Sequence, residues 1–420
     1  MEMMEQLLAQ DNEVLLKTDK ISESSVITYV DEIFKQAVLH RASDIHFEPD
    51  ENSFRIRFRI DGVLSQMYSP THQWANKITA RLKAIANLDI AEKRQPQDGR
   101  LYFNLSSTNN IQFRVSSLPT LWGEKVVLRV VNDNSSELSL TQLGFETSQQ
   151  VIFQEMLTQS QGLILVTGPT GAGKSLTLYS GLAALNSETL NISTVEDPVE
   201  KHMLGVTQVQ VSPKVGLSFA SVLRALLRQD PDVLMVGEIR DSETADIAIK
   251  AAQTGHLVLS TLHTKSALEA INRLHNMGVA RYNLASSVSL IIAQRLVRKL
   301  CHHCKVEDDH EQVNVLLKRD KPDINLSKVR VFKAVGCHHC QQGYLGRTGI
   351  IEMVRITPKM QAVINNEVSM SALHKCMKDQ KVMTLRQAGL AKICEGVTSV
   401  SEMNRVLGKS LFSVNGDFSC

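Results

Sequence analysis

The chain has 420 residues, enough for two or three domains with sizeable cores. Forty-six lysines and arginines against 44 aspartates and glutamates leave a formal net charge of +2, which excludes a strong global field drawing the chain onto nucleic acid or anionic lipid. The acidic, polar start Met1-Glu-Met-Met-Glu-Gln6 is no signal peptide, no uninterrupted apolar stretch reaches about 18 residues, and four of the seven cysteines fall into Cys-x-x-Cys pairs, so the expectation is a cytoplasmic, multidomain enzyme.

After a short tail (1–24), Val26, Ile27, Val30, Ile33, Phe34, Ala37 and Val38 follow helical spacing, and Ala42–Pro49 then alternates as a strand does. Phe54-Arg-Ile-Arg-Phe-Arg-Ile60 alternates strictly before the hairpin signal Asp61-Gly62, which predicts one basic strand face carrying Arg55, Arg57 and Arg59. A helix through Ile78, Leu82 and Ile85 and strands at Ile111–Ser116 and Lys125–Val131 complete a predicted α+β domain over 25–131. The polar stretch 132–147 reads as a linker. Beyond it, Leu163–Val166, Ile192–Val195, Val206–Val211, Val233–Val236 and Leu257–Leu259 alternate with helical segments, which predicts an α/β domain with a largely parallel sheet over 148–410 and a tail at 411–420. The segment Val306–Lys328 is charged and reads as a surface coil.

The run Gly168-Pro-Thr170-Gly171-Ala172-Gly173-Lys174-Ser175 completes G-x-x-x-x-G-K-[ST] directly after an apolar run. Its glycines let backbone N–H groups turn toward phosphates, the following helix N-terminus adds partial positive charge, Lys174 reaches the β/γ-phosphates and Ser175 ligates Mg²⁺. The loop through Leu176 is therefore the expected ATP site. Three further segments end apolar runs where an open α/β sheet presents its crevice. Glu196-Asp197-Pro198 offers carboxylates or a simple turn cap, Glu238 stands where a Walker-B-type carboxylate belongs, and His256 and His263 read either as phosphate sensors or as structural histidines.

Cys301-His-His-Cys304 and Cys337-His-His-Cys340 form the second constellation. Four thiolates make a closed tetrahedral zinc site with a structural role, although His302, His303, His338 or His339 also qualify as substitutes for one ligand. Cys376, Cys394 and Cys420 have no paired spacing and read as ordinary buried or tail thiols.

Ala42-Ser-Asp-Ile-His-Phe-Glu-Pro49, Gln97-Asp-Gly-Arg100, Phe113-Arg-Val-Ser-Ser-Leu-Pro-Thr120, Gly123-Glu-Lys-Val-Val-Leu-Arg129, Val195-Glu-Asp-Pro-Val-Glu200, Leu227-Arg-Gln-Asp-Pro-Asp232, Val236-Gly-Glu-Ile-Arg-Asp241 and Gly255-His-Leu-Val-Leu-Ser-Thr-Leu-His-Thr264 together resemble the bacterial type II/type IV secretion ATPase superfamily over roughly residues 25 to 405. Within it the chain looks similar to type IV pilus assembly ATPases, with type II secretion ATPases as the alternative and a non-motor nucleotide-sensing scaffold as a reading of another class. The resemblance implies a RecA-like P-loop core behind a PAS-like domain, a helical C-terminal region, and a ring-shaped homohexamer at the inner membrane that drives a polytopic platform protein, with no nucleic-acid partner. It also implies that Glu196 positions or activates water, that Glu238 holds Mg²⁺, and that His256 and His263 belong to a histidine box. Arg114 and Arg129 would supply charge to the phosphates, and the four cysteines zinc. Fewer than about thirty residues precede the first shared helix, so the larger N-terminal docking domain of many members is expected to be missing.

Overall fold

The computed structural model describes residues 23–106, 109–131, 140–308, 311–320, 329–366 and 369–408. Most of the expected tail 1–24, residues 132–139 of the expected linker, the tail 411–420 and Cys420 lie outside these residues. The chain divides between Asn134 and Ser135 into two compact units.

In the first unit six antiparallel strands form one sheet among the described residues: β1 (Ala42–Pro49), β2 (Phe54–Ile60), β3 (Val63–Tyr68), β4 (Gln97–Ser106), β5 (Asn109–Thr120) and β6 (Gly123–Val131), in the order β3-β2-β1-β6-β5-β4. Asp61 (φ 49°) and Gly62 (φ 83°) turn β2 into β3 with both residues left-handed, the turn that matches the twist of paired strands. Alternation then sorts the faces. Phe54, Ile56 and Phe58 of β2, Ile45 and Phe47 of β1, and Phe113 and Val115 of β5 are buried with Val30, Ile33 and Phe34 of the helix Glu23–Leu39 and Ile78 and Leu82 of the helix Ala75–Ile85.

The opposite face carries the charges: Arg55, Arg57 and Arg59 share it, and acids of β1 stand among them. Arg57 makes a fork onto Glu48 (Nε–Oε2 2.6 Å, Nη2–Oε1 2.9 Å), Lys125 reaches the same carboxylate at 2.8 Å, and Arg59 lies 3.5 Å from Asp44. The antiparallel register sets β1 beside β2, so Asp44 and Glu48 fall among the β2 arginines, and two carboxylates shared with Lys125 and Arg129 offset only part of the positive charge.

The second unit holds β7 (Gly162–Thr167), β8 (Ile192–Glu196), β9 (Thr207–Gln210), β10 (Val233–Val236), β11 (Leu257–Leu262), β12 (Val288–Leu300), the short pair β13 (Val306–Glu307) and β14 (Phe332–Lys333), and β15 (Tyr344–Arg355). The large sheet runs β15-β12-β7-β11-β10-β8-β9, parallel throughout except for β15 against β12. Its inner strands β7, β8, β10 and β11 are buried at every residue, as a parallel sheet covered on both faces requires. One face packs the helices Thr147–Leu157 and Lys174–Leu185. The other packs the helices Phe219–Leu226, Ser242–Gln253, Ala267–Asn276 and those of the C-terminal region.

Within the span expected to be coil, Val306–Lys328, the chain forms β13 and a helix at Glu311–Asp320. Val313 and Leu317, four apart, share one helix face and are buried in the same core cluster, which decides a segment whose overall charge points the other way.

Candidate active site

Because β7, β8, β10, β11 and β12 run parallel, their C-terminal ends share one edge, and the strand order places functional groups along it in the sequence Gln294–Arg295, phosphate loop, His263, Glu238, Glu196. At about 4.8 Å per strand step, Glu238 ends the second strand from the loop and Glu196 the third.

The loop itself is backbone geometry. Gly168 (φ 155°) has no room for a side chain, since a Cβ there would lie 2.5 Å from the Gln294 carbonyl oxygen, and Gly173 (φ 87°) caps the helix Lys174–Leu185 in the left-handed region. Ala172 is buried, while Thr170, Gly171, Ser175 and Leu176 are exposed at the helix N-terminus. Lys174 folds back over the loop, donating to the carbonyls of Gly168 (3.0 Å) and Pro169 (3.1 Å). Burial and the nearby Arg295 cation lower its ammonium to about pKa 8 against the pull of Glu238.

Glu238 pairs closely with Arg240 and lies 3.6 Å from His263 Nε2. Its segment is pinned by a ladder across the strand ends: Gly237 N–H donates to Val195 O (2.8 Å), Ile239 N–H to Thr261 O (3.0 Å), and the Thr261 hydroxyl to Gly237 O (2.7 Å). Burial, then the charge on Lys174, lowers the proton affinity of His263, so it faces the loop as a neutral imidazole near pH 7. Thr264 is tied to Thr167 of β7 through N–H to Oγ1 (3.0 Å) and a hydroxyl pair at 2.6 Å, which fixes His263 beside the loop.

Glu196 is buried and oriented by neutral donors: the Thr194 hydroxyl (2.6 Å), Gln208 Nε2 (3.2 Å) and the Tyr179 phenol. Asp197, which precedes a cis proline, lies 3.5 Å from Arg240. His256 stands elsewhere. It precedes β11, so the six residues Leu257–Leu262 separate it from His263, about 20 Å of extended strand, and its Nδ1 faces the Ala251 carbonyl at 3.0 Å.

In the first unit the register aligns Arg100 of β4, Arg114 of β5, Arg129 of β6, Asp44 of β1 and Arg59 of β2 as successive cross-strand neighbours. Arg129 Nε donates to Asp44 Oδ1 at 3.0 Å. The row carries four arginines and one aspartate on a single sheet face, a concentration of positive charge suited to a phosphate.

The cysteine cluster lies where β12 ends and β15 approaches. All four Sγ atoms are within 4.8 Å of one another, with Cys301–Cys337 at 3.9 Å and both Cys304–Cys340 and Cys337–Cys340 at 3.7 Å. Tetrahedral Zn–S bonds of about 2.3 Å require sulfurs about 3.8 Å apart, so the residues present fit zinc. Backbone N–H groups of Gly336 and Cys337 point at the sulfurs of Cys304 and Cys340 (3.3 Å each), orienting them as outer partners do for a metal ligand.

Sequence reading missed Gln294 and Arg295. Both are buried in β12, and Arg295 lines a cavity of about 530 Å³ with Pro169, His263, Lys265 and Arg273. The available signal was a polar pair inside the apolar run Leu290–Val297.

The type II/IV secretion system protein family matches residues 19–405. The chain belongs to this family. Against the type IV pilus assembly ATPase PilB of Pseudomonas aeruginosa this secretion-family chain is 50% identical over 384 residues, which cover 91% of it and 68% of that protein. Against the type II secretion system ATPase E of Vibrio cholerae it is 43% identical, covering 95% of this chain and 78% of that one. The solved pilus retraction motor PilT with bound ADP superimposes with a TM-score of 0.60 at 25% identity, covering 89% of this chain and 95% of that one. Among the described residues of the secretion-family chain, no helix is long and apolar enough to cross a membrane.

Proposed function

We propose that the chain is an ATP hydrolase that powers assembly of a type IV pilus. Supporting the chemistry is one observation above the others: Lys174, His263 and Glu238 meet at the C-terminal edge of one parallel sheet, beside a loop built to take phosphates. The higher identity to a pilus assembly ATPase favours the pilus branch, and the type II secretion relative makes export through a secretion machine the second reading.

In this reading Lys174, with two of its three N–H donors on the Gly168 and Pro169 carbonyls, turns the remaining one to the β/γ-phosphates, and Ser175 and Glu238 would hold Mg²⁺, which would supply charge neutralisation on the phosphates. Glu196 holds and activates the attacking water. Its partners are neutral hydrogen-bond donors, which orient the carboxylate without spending its charge on an ion pair. Neutral His263 reports on the γ-phosphate by donating from Nε2. His256 is assigned a supporting role at the far end of β11. Arg114 and Arg129 supply positive charge from the first unit, and Arg129 does so by leaving Asp44. The four cysteines hold a structural zinc. A homohexamer working on a polytopic inner-membrane platform protein, with the first unit as a separate α+β domain over 25–131, completes the proposal.

The test deletes the gene, complements it with wild type or Lys174→Ala, and assays surface pili and secreted enzymes in parallel. Loss of pili with normal secretion, rescued only by wild type, is expected; loss of secreted enzymes with pili intact moves the assignment to type II secretion.

A further inference from the structure

The polar pair on β12 sits under the phosphate loop, and its two side chains leave the strand on opposite sides. Gln294 accepts from the Thr177 hydroxyl through Oε1 (2.7 Å), on the side of the helix that follows the loop. Its Nε2 is a fully buried donor without a partner among the described residues, and it lies 3.0 Å from where a Cβ on Gly173 would stand. Buried donors are almost always paired in folded proteins, so an unpaired one aimed at a ligand loop calls for an acceptor.

Arg295 takes the other side. Its Nη1 donates to the Gln294 carbonyl (2.8 Å) and lies 3.1 Å from where a Cβ on Gly168 would stand, and its Nη2 donates to the Lys265 carbonyl (2.6 Å). Lys265 is two residues after His263, so one guanidinium braces the β12 backbone against which Gly168 packs and the segment that carries His263. A guanidinium has five N–H donors in a rigid fork, and these bonds leave capacity for more.

In this state the loop carbonyls of Gly168 and Pro169 are satisfied by Lys174. Two of the three N–H donors of the lysine are spent there, which leaves one for the β/γ-phosphates and ties the loop backbone to the phosphates through Lys174.

We propose that Gln294 and Arg295 are positioning residues for the triphosphate: Gln294 backs the loop at Gly173, Arg295 packs under Gly168 and holds the Lys265 carbonyl, and together they couple loop occupancy to the placement of His263. This rests on the reading of the loop as an ATP-hydrolysing site. Arg295 acts through the loop and through Lys265, and Gln294 through Gly173, without touching the substrate.

The experiment uses the full chain with Arg295→Gln, Arg295→Lys and Gln294→Met. It measures melting temperature without nucleotide, affinity for Mg·ADP and for a non-hydrolysable Mg·ATP analogue, and kcat and KM for ATP. Arg295→Gln and Gln294→Met are expected to weaken the triphosphate analogue about tenfold more than ADP and to lower kcat; Arg295→Gln also lowers the nucleotide-free melting temperature, having lost its bonds to the Gln294 and Lys265 carbonyls, but that loss alone gives no split between the analogue and ADP. Arg295→Lys, which keeps the charge and loses the fork, should recover part of the loss and stays informative if the glutamine variant does not fold. Wild-type affinities and kcat in Arg295→Gln and Gln294→Met would overturn the inference, as would equal losses for ADP and the analogue that track a lower melting temperature. Wild type and Lys174→Ala run alongside: a wild type that does not hydrolyse ATP fails the ATPase reading itself, whereas an active wild type, an inactive Lys174→Ala and an unaffected Arg295→Gln fail this inference alone.

Discussion

The two units carry their charges in different ways. In the second, the loop, Glu196, Glu238 and His263 sit at strand ends, where a parallel sheet brings the termini of distant segments to one edge. In the first, Arg100, Arg114, Arg129, Asp44 and Arg59 lie across the flat face of an antiparallel sheet, side by side because of strand register. An edge site presents backbone N–H groups and helix termini together with side chains, and it is specific in geometry. A face site offers side chains alone, and its strength depends on which neighbours neutralise which.

That contrast sets the size of the expected effects. Glu238→Gln at the edge should retain nucleotide and lose turnover by about 10²–10³-fold, a transition-state cost of about 3–4 kcal/mol. Steady-state hydrolysis beside an equilibrium binding assay checks it, and equal turnover in variant and wild type would sink the mechanism.

On the face, the largest effect should come from acid. Burial alone would raise the Glu48 carboxyl, but its bonds to Arg57 and Lys125 outweigh that and hold it at about 2. A carboxylate depressed in the folded state contributes stability above its unfolded value, and that stability is lost as pH falls from about 4.5 toward 2. The first unit should lose at most about 3 kcal/mol over this window, less what solvent screens at the part-exposed Arg57 and Lys125, and Glu48→Gln should flatten the dependence, as read by denaturant unfolding at stepped pH.

Away from both regions, chelation of metal or Cys301→Ser should lower the melting transition of the second unit by several degrees, an effect of about 2–3 kcal/mol. Mg·ADP affinity at temperatures below that transition should stay unchanged. Protein purified under reducing, chelator-free conditions with no zinc by metal analysis would contradict the assignment.

The smallest effect is a pH dependence at the edge. With Lys174 lowered to about 8 before nucleotide arrives, the ammonium that phosphates require is progressively lost above that pH. The ratio kcat/KM for ATP should therefore fall toward tenfold per pH unit above about 8, about 1.4 kcal/mol each. A profile flat to pH 10 would show that Lys174 stays charged in the free chain.

Local motifs made much of the edge readable before any coordinates. Gly168–Ser175 states its own conformation, because glycines at the turn and a lysine at the helix start fit little else, and Glu238 after Val233–Val236 is placed by the parallel topology. The face was readable only in part. Strict alternation in Phe54–Ile60 told which residues share a side, yet nothing within β2 says that Asp44 and Glu48 of β1 lie opposite its arginines, because register is a property of pairs of strands. Gln294 and Arg295 were hidden for a related reason: their meaning comes from Ala293 lying beside Thr167, 126 positions earlier in the chain. The helix at Glu311–Asp320 was masked by its charge, since two buried apolar residues suffice when the core is close at hand.

The cysteine cluster also has a topological consequence. Cys301 follows the last residue of β12 and Cys340 stands four residues before β15 begins, so the thiols bolt together the two ends of everything the chain does between those strands. With its ends bolted, the intervening segment is a cassette. Outside the core-facing Val313 and Leu317 and the β13–β14 pair, its length can drift at a closure cost that grows only with the logarithm of length, about 0.6 kcal/mol for each doubling. The same arrangement makes it a natural place to graft a reporter or an affinity module onto a working ATPase.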